Sequence, residues 1–339
     1  MTNGFDSAPT RMGIRIAATA TYLPGEPVVS TDIDRRAGLS AGTCERRLGI
    51  RRRHYAGGET TSAMAAKAAR RALEAAGWRA ADLDLVVSAS AVMEQWIPTQ
   101  AVLLQHALGL GAAATPVLDI NATCLSFLAA LDQVSYAMAM GRYRRVLIAT
   151  AEVPSRALDW SDIDICGNFG DGAAAVLLER DPRSDAGIVT ARFETYSDGA
   201  RLCELRAGGS LIDLHGDMDA VRAGAIFRMD GPAAYRLSAR HFPSFLRRLL
   251  NEAGLSVDDL AAVVPHQASA SALHHLRRLS RVPAAKVVDI FADHGNQVAA
   301  SLPIALDHAL RSGRLGRGDT ALLVGTAAGI TLGGLVLRV

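Results

Sequence analysis

An internal repeat is the strongest constraint that this sequence places on its fold. The stretch "LEAAGWRAADLDLVVSAS" in the first half is matched by "LNEAGLSVDDLAAVVPHQ" in the second. Gly77 then corresponds to Gly254 and Leu83 to Leu260, and the members of both pairs stand 177 residues apart. Three further matches follow in the same order: "TPVLDINATC" with "AKVVDIFADHGN", "RRVLIATAE" with "DTALLVGTAAG", and "GDGAAAVLLE" with "GITLGGLVLRV". Because a repeat fixes architecture before any single motif, each half is predicted to be one copy of a β/α unit.

The strands and helices of the two copies predict an α/β fold. Continuous apolar runs alternate with amphipathic stretches of helical period, which is typical of sheets that helices cover on both faces. A chain of 339 residues, 50% hydrophobic and 21% charged, has room for about two domains. We therefore predict two sheets that sandwich shared helices, with a first half at residues 12–185 and a second at 186–339.

The charge balance argues against a general nucleic-acid binder, because the net charge is only +2. Basic clusters do occur at "RRLGIRRRH", "GRYRR" and "HHLRRLSR". Most charge runs are solvated surface; the alternative is that these clusters attract an acidic protein partner or a phosphate-bearing arm of a substrate.

Cysteine usage and hydropathy predict a cytoplasmic protein. The four cysteines have neither metal-site nor disulfide spacing, so no metal is expected, and the first residues contain no apolar run of signal-peptide length. The apolar tail "TALLVGTAAGITLGGLVLRV" is rich in glycine and β-branched residues. We therefore predict two strands joined by a glycine-containing turn there, and no membrane span.

Cys124 lies where a short apolar strand gives way to a long helical pattern. A thiol at the start of a helix meets unpaired backbone amides and the positive end of the helix dipole, which favours the thiolate. A reactive nucleophile is one interpretation of this placement. The other is a small buried hydrophobic side chain, since free cysteine is among the most buried residue types.

The repeat brings two further polar residues to equivalent strand ends. The strand "AAVV" leads into His266, and "VVDI", the counterpart of the strand before Cys124, leads through "FADHG" to Asn296. Ligand sites of α/β sheets form beyond the carboxyl ends of strands. Pseudo-twofold symmetry is therefore expected to bring Cys124, His266 and Asn296 together.

Several motifs in this order resemble the β-ketoacyl-acyl-carrier-protein synthase III family, condensing enzymes of the thiolase superfamily. The matching stretches are "DINATCLSF", "GNFGDGAAAVLLE", "VVPHQAS", "HGNQVAASLPIAL" and "GTAAGITLGG". The resemblance implies a thiolase-like fold with a layered α/β/α/β/α core. It also leads us to expect a homodimer, no cofactor, and acyl-coenzyme A or acyl carrier protein as substrate. It also implies that Cys124 accepts the acyl group, with His266 and Asn296 as its partners.

The implied reaction is a decarboxylative Claisen condensation. A cysteine thiolate takes the acyl group as a new thioester with little loss of activation. When a malonyl-type substrate then loses carbon dioxide, His266 and Asn296 each offer a donor to the charge on its thioester oxygen. For the oxyanion formed during attack on the acyl group, the resemblance suggests the backbone amides of Cys124 and Ala328.

Departures from the family pattern concern the donor substrate. Thr43 stands where the family has a tryptophan that stacks on the adenine of coenzyme A, whereas Arg47 keeps an arginine of the same site. Ser269 replaces an asparagine of the loop after the histidine. We therefore expect a carrier-bound or longer acyl donor in a specialised pathway, with acetyl-coenzyme A and ordinary fatty-acid initiation as the alternative. Basic residues that could attract an acidic carrier are Arg47, Arg51, Arg52, Arg277 and Arg278.

The remaining candidates have a structural or an open interpretation. Trp96 and Ile97 are expected to cover a partner subunit or to line an acyl pocket. We interpret three histidines as structural or solvated: His274, His275 and His294. A turn before a buried strand is predicted at Gly170, Asp171 and Gly172. Three other functions remain open: acyl transfer without decarboxylation, which Asn296 disfavours; a non-catalytic partner subunit, which the retained Cys124 disfavours; and a redox sensor, for which sequence spacing supplies no resolving cysteine.

Overall fold

The computed structural model describes residues 13–339, apart from the side chains of residues 279 and 280. Residue 12, where the first predicted half begins, and the N-terminal stretch read for a signal peptide up to that point lie outside the described residues. The strands are β1 (Ile14–Tyr22), β2 (Val28–Val29), β3 (Arg52–Arg53), β4 (Leu85–Ser88), β5 (Val117–Asp119), β6 (Arg145–Glu152), β7 (Gly172–Arg180), β8 (Gly187–Thr195), β9 (Cys203–Glu204), β10 (Arg228–Met229), β11 (Ala262–Pro265), β12 (Thr320–Ala327) and β13 (Thr331–Arg338). The helices are α1 (Ser30–Arg36), α2 (Thr43–Leu48), α3 (Thr61–Ala76), α4 (Gln100–Ala107), α5 (Ser126–Ala139), α6 (Ile163–Cys166), α7 (Met218–Gly224), α8 (Gly231–Ala253), α9 (Ala270–Ser280), α10 (Phe291–His294) and α11 (Ser301–Arg311).

The sequence repeat corresponds to two sheets of matching strand order. One sheet runs β1-β7-β6-β4-β5, and the other, read in the same direction, runs β8-β13-β12-β11. Val86 of β4 pairs in parallel with Val117, and Val263 of β11 pairs in parallel with Val287 in an isolated bridge. Val86 and Val263 are separated by the same 177 residues as the repeated glycines. The predicted pseudo-symmetry is thus confirmed down to strand register.

The repeated glycines end equivalent helices. Gly77 follows α3 and Gly254 follows α8, each with φ of +66°. Both backbone amides bond back to carbonyls of the last helical turn. A side chain is disfavoured in this left-handed conformation, which explains why glycine ends the helix in both copies.

The two sheets and their helices form five layers. Along β4 and β6, Val87 and Ile148 face the shared helices α5 and α11, whereas Val86 and Leu147 face α3 and α4 on the outside. Helix α5 contacts both β6 and β13, and α11 contacts both β7 and β11. On the far face of the second sheet, α8 and α9 cover the remaining apolar side chains. Because both faces of each sheet are buried, the strands are apolar without alternation, as predicted.

The C-terminal apolar tail is a hairpin. Strands β12 and β13 pair antiparallel from Thr320 opposite Arg338 to Ala327 opposite Thr331. This confirms the prediction of two strands joined by a glycine-containing turn. In the part of the chain that the structure describes, no helix has the length and apolar character needed to cross a membrane.

Candidate active site

Cys124 lies on a tight turn between β5 and α5. The amide of Leu125 bonds to the Ala122 carbonyl at 3.1 Å, and Ser126 Oγ bonds to the Thr123 carbonyl at 2.6 Å. Thr123 has φ of +50°, which is rare for a β-branched residue. The strand-to-helix placement predicted from the sequence is therefore present, and the turn is held in a strained conformation directly before the nucleophile.

The thiol of Cys124 is less acidic than its placement predicts. Burial raises its pKa to about 12, and the charges of Glu152 and Cys203 act in the same direction. Backbone amides of Ala328 and of Cys124 itself donate to the sulfur and oppose the rise. The amides favour the thiolate, as the placement predicts, but desolvation outweighs them in the resting protein.

Cys203 was missed by sequence reasoning. It lies close enough to Cys124 for its charge to affect the pKa of that thiol, although the two are far apart in the chain. Both cysteines are free. No spacing pattern signals this neighbour, because the contact is made by the chain folding back at β9.

His266 directly follows β11 and is 5% exposed. Its Nδ1 shares a hydrogen bond of 2.6 Å with the hydroxyl of Ser301 at the start of α11. Burial lowers its pKa to about 4, so the ring is neutral at pH 7. A Cβ added at Gly325 would lie 2.6 Å from His266 Cβ and 3.2 Å from a methyl of Leu125. His266 and the residue after the nucleophile therefore face the same glycine.

Asn296 is tied to the histidine loop and to the first half of the chain. Its Oδ1 accepts from the Val298 amide at 2.9 Å, and its Nδ2 donates to the Ala268 carbonyl, two residues after His266, at 3.3 Å. Its backbone amide donates to the Asn168 carbonyl at 2.8 Å. Val298 and Phe169 belong to an apolar cluster on which Cys124 also packs. The segments that carry Cys124, His266 and Asn296 therefore lie next to one another.

The "GDG" segment supports these loops through its backbone. A Cβ at Gly170 would lie 2.4 Å from the His294 carbonyl oxygen, and one at Gly172 would lie 2.2 Å from Gln297 Nε2. Asp171 is buried and accepts from the Ala56 amide at 2.7 Å. These contacts agree with the interpretation of a turn that requires small residues.

The residues matched to the coenzyme A site lie on α2. Thr43 Oγ1 donates to the Ser40 carbonyl at 2.6 Å. Arg47 makes a two-pronged ion pair with Asp164 of α6, with distances of 2.6 Å from Nε to Oδ1 and 2.5 Å from Nη2 to Oδ2. Both side chains are about half exposed. The guanidinium that the resemblance assigns to the coenzyme A site therefore already has a carboxylate partner.

The other predicted binding residues are two exposed side chains, Trp96 and Ile97, and the helix-capping Ser269. Trp96 is 61% exposed and lies beside Gly208 and Gly209, and Ile97 is 86% exposed. Ser269 caps α9, where its Oγ accepts from the Ala272 amide at 3.1 Å. Ser269 therefore has a local structural partner instead of a contact with the catalytic constellation.

The basic residues proposed to attract an acidic carrier are partly neutralised. Arg51 and Arg52 both bind Asp293, at 2.6 Å and 3.1 Å, and Arg277 binds Asp289 at 2.6 Å. The surface thus carries less net positive charge than the sequence cluster suggests.

Three other histidines named in the sequence analysis, and Arg278, have surroundings of their own. On α9, His274 and Arg278 are exposed, and His275 Nδ1 bonds to the hydroxyl of Tyr235. His294 ends α10, and burial lowers its pKa to about 4. These placements agree with the structural or solvated interpretation.

Two family models match the chain. The 3-oxoacyl-[acyl-carrier-protein] synthase III model matches residues 118–199, and the C-terminal model of the same enzyme matches residues 250–339. The beta-ketoacyl-[acyl-carrier-protein] synthase III of Rhizorhabdus wittichii is 36% identical over 324 residues, covering 95% of this chain and 98% of that protein. The enzyme of the same name from Bordetella petrii is 38% identical over 330 residues, covering 95% and 97%.

Solved structures agree with the sequence matches. The 3-oxoacyl-[acyl-carrier-protein] synthase III of Aquifex aeolicus superposes with a TM-score of 0.86 at 30% identity, covering 96% of this chain and 100% of that one. The priming β-ketosynthase of the R1128 polyketide biosynthetic pathway superposes with a TM-score of 0.84 at 30% identity, covering 98% of both chains.

Proposed function

The chain belongs to the 3-oxoacyl-[acyl-carrier-protein] synthase III family of condensing enzymes, and from that premise we propose that it joins an acyl group held on Cys124 to a malonyl-type thioester. The observation that carries this assignment is the hydrogen bond from Asn296 to the Ala268 carbonyl, which places the asparagine beside the histidine loop. A pair of neutral donors next to a nucleophile suits a reaction in which charge develops on a thioester oxygen.

The first half-reaction transfers the acyl group to Cys124. The sulfur attacks the thioester carbonyl, the bond to the departing thiol breaks, and the proton of Cys124 passes to that thiol. The amides of Cys124 and Ala328 are suited to hold the oxyanion of the tetrahedral intermediate. Because the resting group is a thiol, these donors act mainly as charge develops.

The second half-reaction uses His266 and Asn296. When the malonyl thioester loses carbon dioxide, the enolate oxygen accepts from His266 Nε2 and Asn296 Nδ2. If the hydroxyl of Ser301 donates to Nδ1, the neutral ring carries its proton on Nε2 and can donate there. The enolate carbon then attacks the acyl carbonyl, and Cys124 leaves as a thiolate that takes up a proton.

The donor is a carrier-bound or longer acyl group in a specialised pathway. Thr43 cannot stack on an adenine, and the ion pair with Asp164 competes with a substrate phosphate for Arg47. Both features lower the affinity for the nucleotide part of coenzyme A. Ordinary fatty-acid initiation with acetyl-coenzyme A is the alternative, and the relatives named above are compatible with it.

Intact-mass spectrometry tests both halves of this proposal. The protein is exposed to acetyl-coenzyme A and to medium-chain acyl groups on carrier protein, and malonyl carrier protein is then added. A retained acyl adduct that disappears as a β-ketoacyl product forms is expected. Transfer of the adduct to an alcohol or amine without loss of carbon dioxide would instead identify an acyltransferase.

A homodimer is the proposed assembly. Strand β5 is the edge of its sheet, and Leu118 on it is 48% exposed; an edge strand with an apolar side chain is suited to pair with another copy. Ile97 adds a second exposed apolar side chain. A sedimenting monomer at micromolar concentration would contradict this assembly.

A further inference from the structure

Glu152 is a fully buried carboxylate at the last position of β6. Its Oε1 accepts from the Ala91 amide at 2.6 Å, and its Oε2 accepts from the Val92 amide at 2.9 Å. The turn at Val298–Ala300 packs against β6, and the backbone amide of Ala299 favours the charged form of the carboxylate. An apolar side chain would be cheaper to bury here, because removing a carboxylate from water carries a large cost. The position therefore calls for a reason beyond packing.

These three amides belong to two segments of the proposed site. Ala91 follows β4 and packs on the same apolar cluster as Cys124. Ala299 directly follows Val298, whose amide is bound by the side chain of Asn296. One carboxylate thus joins a segment beside the nucleophile to the loop that carries the asparagine, across the two halves of the chain.

The charge of Glu152 also acts on the nucleophile. The carboxylate disfavours ionisation of Cys124, and Cys203 acts on that thiol in the same direction. Burial raises the pKa of Glu152 to about 8, its three amide donors oppose the rise, and Asp171 adds to it. The carboxylate form therefore predominates above about pH 8.

We propose that Glu152 is a positioning residue with opposite effects on the two half-reactions: its amide contacts hold the Asn296 loop for decarboxylation, while its negative charge restrains the thiol of Cys124. The proposal rests on the proposed function, because it assigns Asn296 to condensation and Cys124 to acylation. A residue with a purely structural role would affect both steps in the same direction.

The variant Glu152→Gln separates these effects. Glutamine keeps one oxygen as an acceptor but turns an NH₂ group toward a backbone N–H, so one amide contact is lost. It also removes the charge. Glu152→Asp retains the charge but shortens the side chain, which weakens the bridge alone. Glu179→Gln is the matched control, because Glu179 is a buried carboxylate on the adjacent strand β7 whose partners are Arg15, Arg144 and Arg145.

The test measures each step separately at about pH 8.5, where Glu152 is largely ionised. For Glu152→Gln, alkylation of Cys124 by iodoacetamide is expected to become about three- to tenfold faster, since a lowering of the thiol pKa by half to one gives that gain in thiolate. Condensation of pre-acylated enzyme with malonyl carrier protein is expected to fall about tenfold. Below about pH 7 the alkylation rates should converge with wild type, because the wild-type carboxyl is then mostly neutral.

Other outcomes decide against the inference. Slower alkylation together with slower condensation in Glu152→Gln, or unchanged condensation, would overturn it. If that variant does not fold, Glu152→Asp carries the test: condensation should fall while the alkylation profile keeps its wild-type pH dependence, and unchanged condensation would overturn the proposal. Wild-type protein that forms no acyl-enzyme or no condensation product would instead refute the proposed function.

Discussion

Strand β6 of the first half and strand β12 of the second have eight residues each and take equivalent places in their sheets, but they end differently. β6 ends at the buried carboxylate of Glu152, whereas β12 ends at Ala327, directly before the amide of Ala328. Strand β11 is followed by His266, while its counterpart β4 is followed by Ala89. The first half thus carries the nucleophile and an anionic anchor, and the second carries neutral donors.

This difference shows how a duplicated scaffold can support two consecutive steps. The strand register is common to both halves, so equivalent strand ends meet in one place. The residues at those ends can differ, because the ladder pairs backbone groups and does not fix the side chain. In the proposed reaction, acylation depends mainly on the first half and decarboxylation on the second.

The largest expected effect is loss of the nucleophile from the first half. Cys124→Ala is expected to abolish formation of the acyl-enzyme, because no other thiol has the same turn and amide donors. Intact-mass spectrometry after exposure to acyl thioesters measures the adduct. Cys203→Ala is the matched control and should still be acylated. An unchanged covalent adduct in Cys124→Ala would show that Cys124 is not the nucleophile.

The next effect separates the two halves. Asn296→Ala is expected to keep acylation but to slow decarboxylative condensation about 10²- to 10³-fold, the usual cost of losing one donor to a developing oxyanion. Rates of adduct formation and of product formation are measured separately. Asn168→Ala is the control, because it also removes a donor to the Ala268 carbonyl. Equal loss of both half-reactions in Asn296→Ala would contradict the assignment of condensation to the second half and acylation to the first.

The donor preference of the first half gives a smaller effect. Thr43→Trp is expected to improve acylation by acyl-coenzyme A about tenfold, since stacking of a base on an aromatic ring contributes roughly one to three kcal/mol. Acyl pantetheine, which lacks the nucleotide, should react at an unchanged rate. If the wild-type enzyme already prefers acetyl-coenzyme A over carrier-bound donors, its function is instead the ordinary initiation of fatty-acid synthesis.

A finer test concerns the histidine of the second half. Ser301→Ala removes the hydroxyl that holds Nδ1 of His266 and is expected to slow condensation about three- to tenfold, as for one lost hydrogen bond. Acylation should change little. Ser301→Thr keeps a hydroxyl and is expected to restore part of the rate. A similar loss in Ser301→Thr and Ser301→Ala would show that the hydroxyl is not what matters.

The smallest effect is expected at the ion pair between α2 and α6. Asp164→Asn weakens the hold on Arg47, and acylation by acyl-coenzyme A should rise at most about fivefold, because exposed ion pairs contribute little. The ratio of rates with acyl-coenzyme A and acyl pantetheine is the measurement. If that ratio does not change, the ion pair does not affect binding of the nucleotide, and Thr43 alone accounts for the donor preference.

Much of the fold and part of the site follow from local sequence patterns. The repeat predicts the paired sheets, and Gly77 and Gly254 mark equivalent helix ends because a left-handed residue is needed there. Cys124 and His266 were predicted to follow strands, and they follow β5 and β11. The predicted strand "VVDI" before Asn296 is reduced to an isolated bridge at Val287, and Asn296 follows α10. Such signals are read within one segment, and the repeat then relates one segment to another.

Tertiary structure alone decided the chemical environment of those residues. Burial makes Cys124 a thiol, although its helix terminus favours the thiolate, because exclusion of water depends on every element packed around the sulfur. The partners Ser301, Glu152 and Asp164 were not predicted, since each contact joins segments distant in the chain and follows no sequence period. The sequence by itself therefore determined which residues stand at the strand ends, and the packing of distant segments determined their ionisation and their partners.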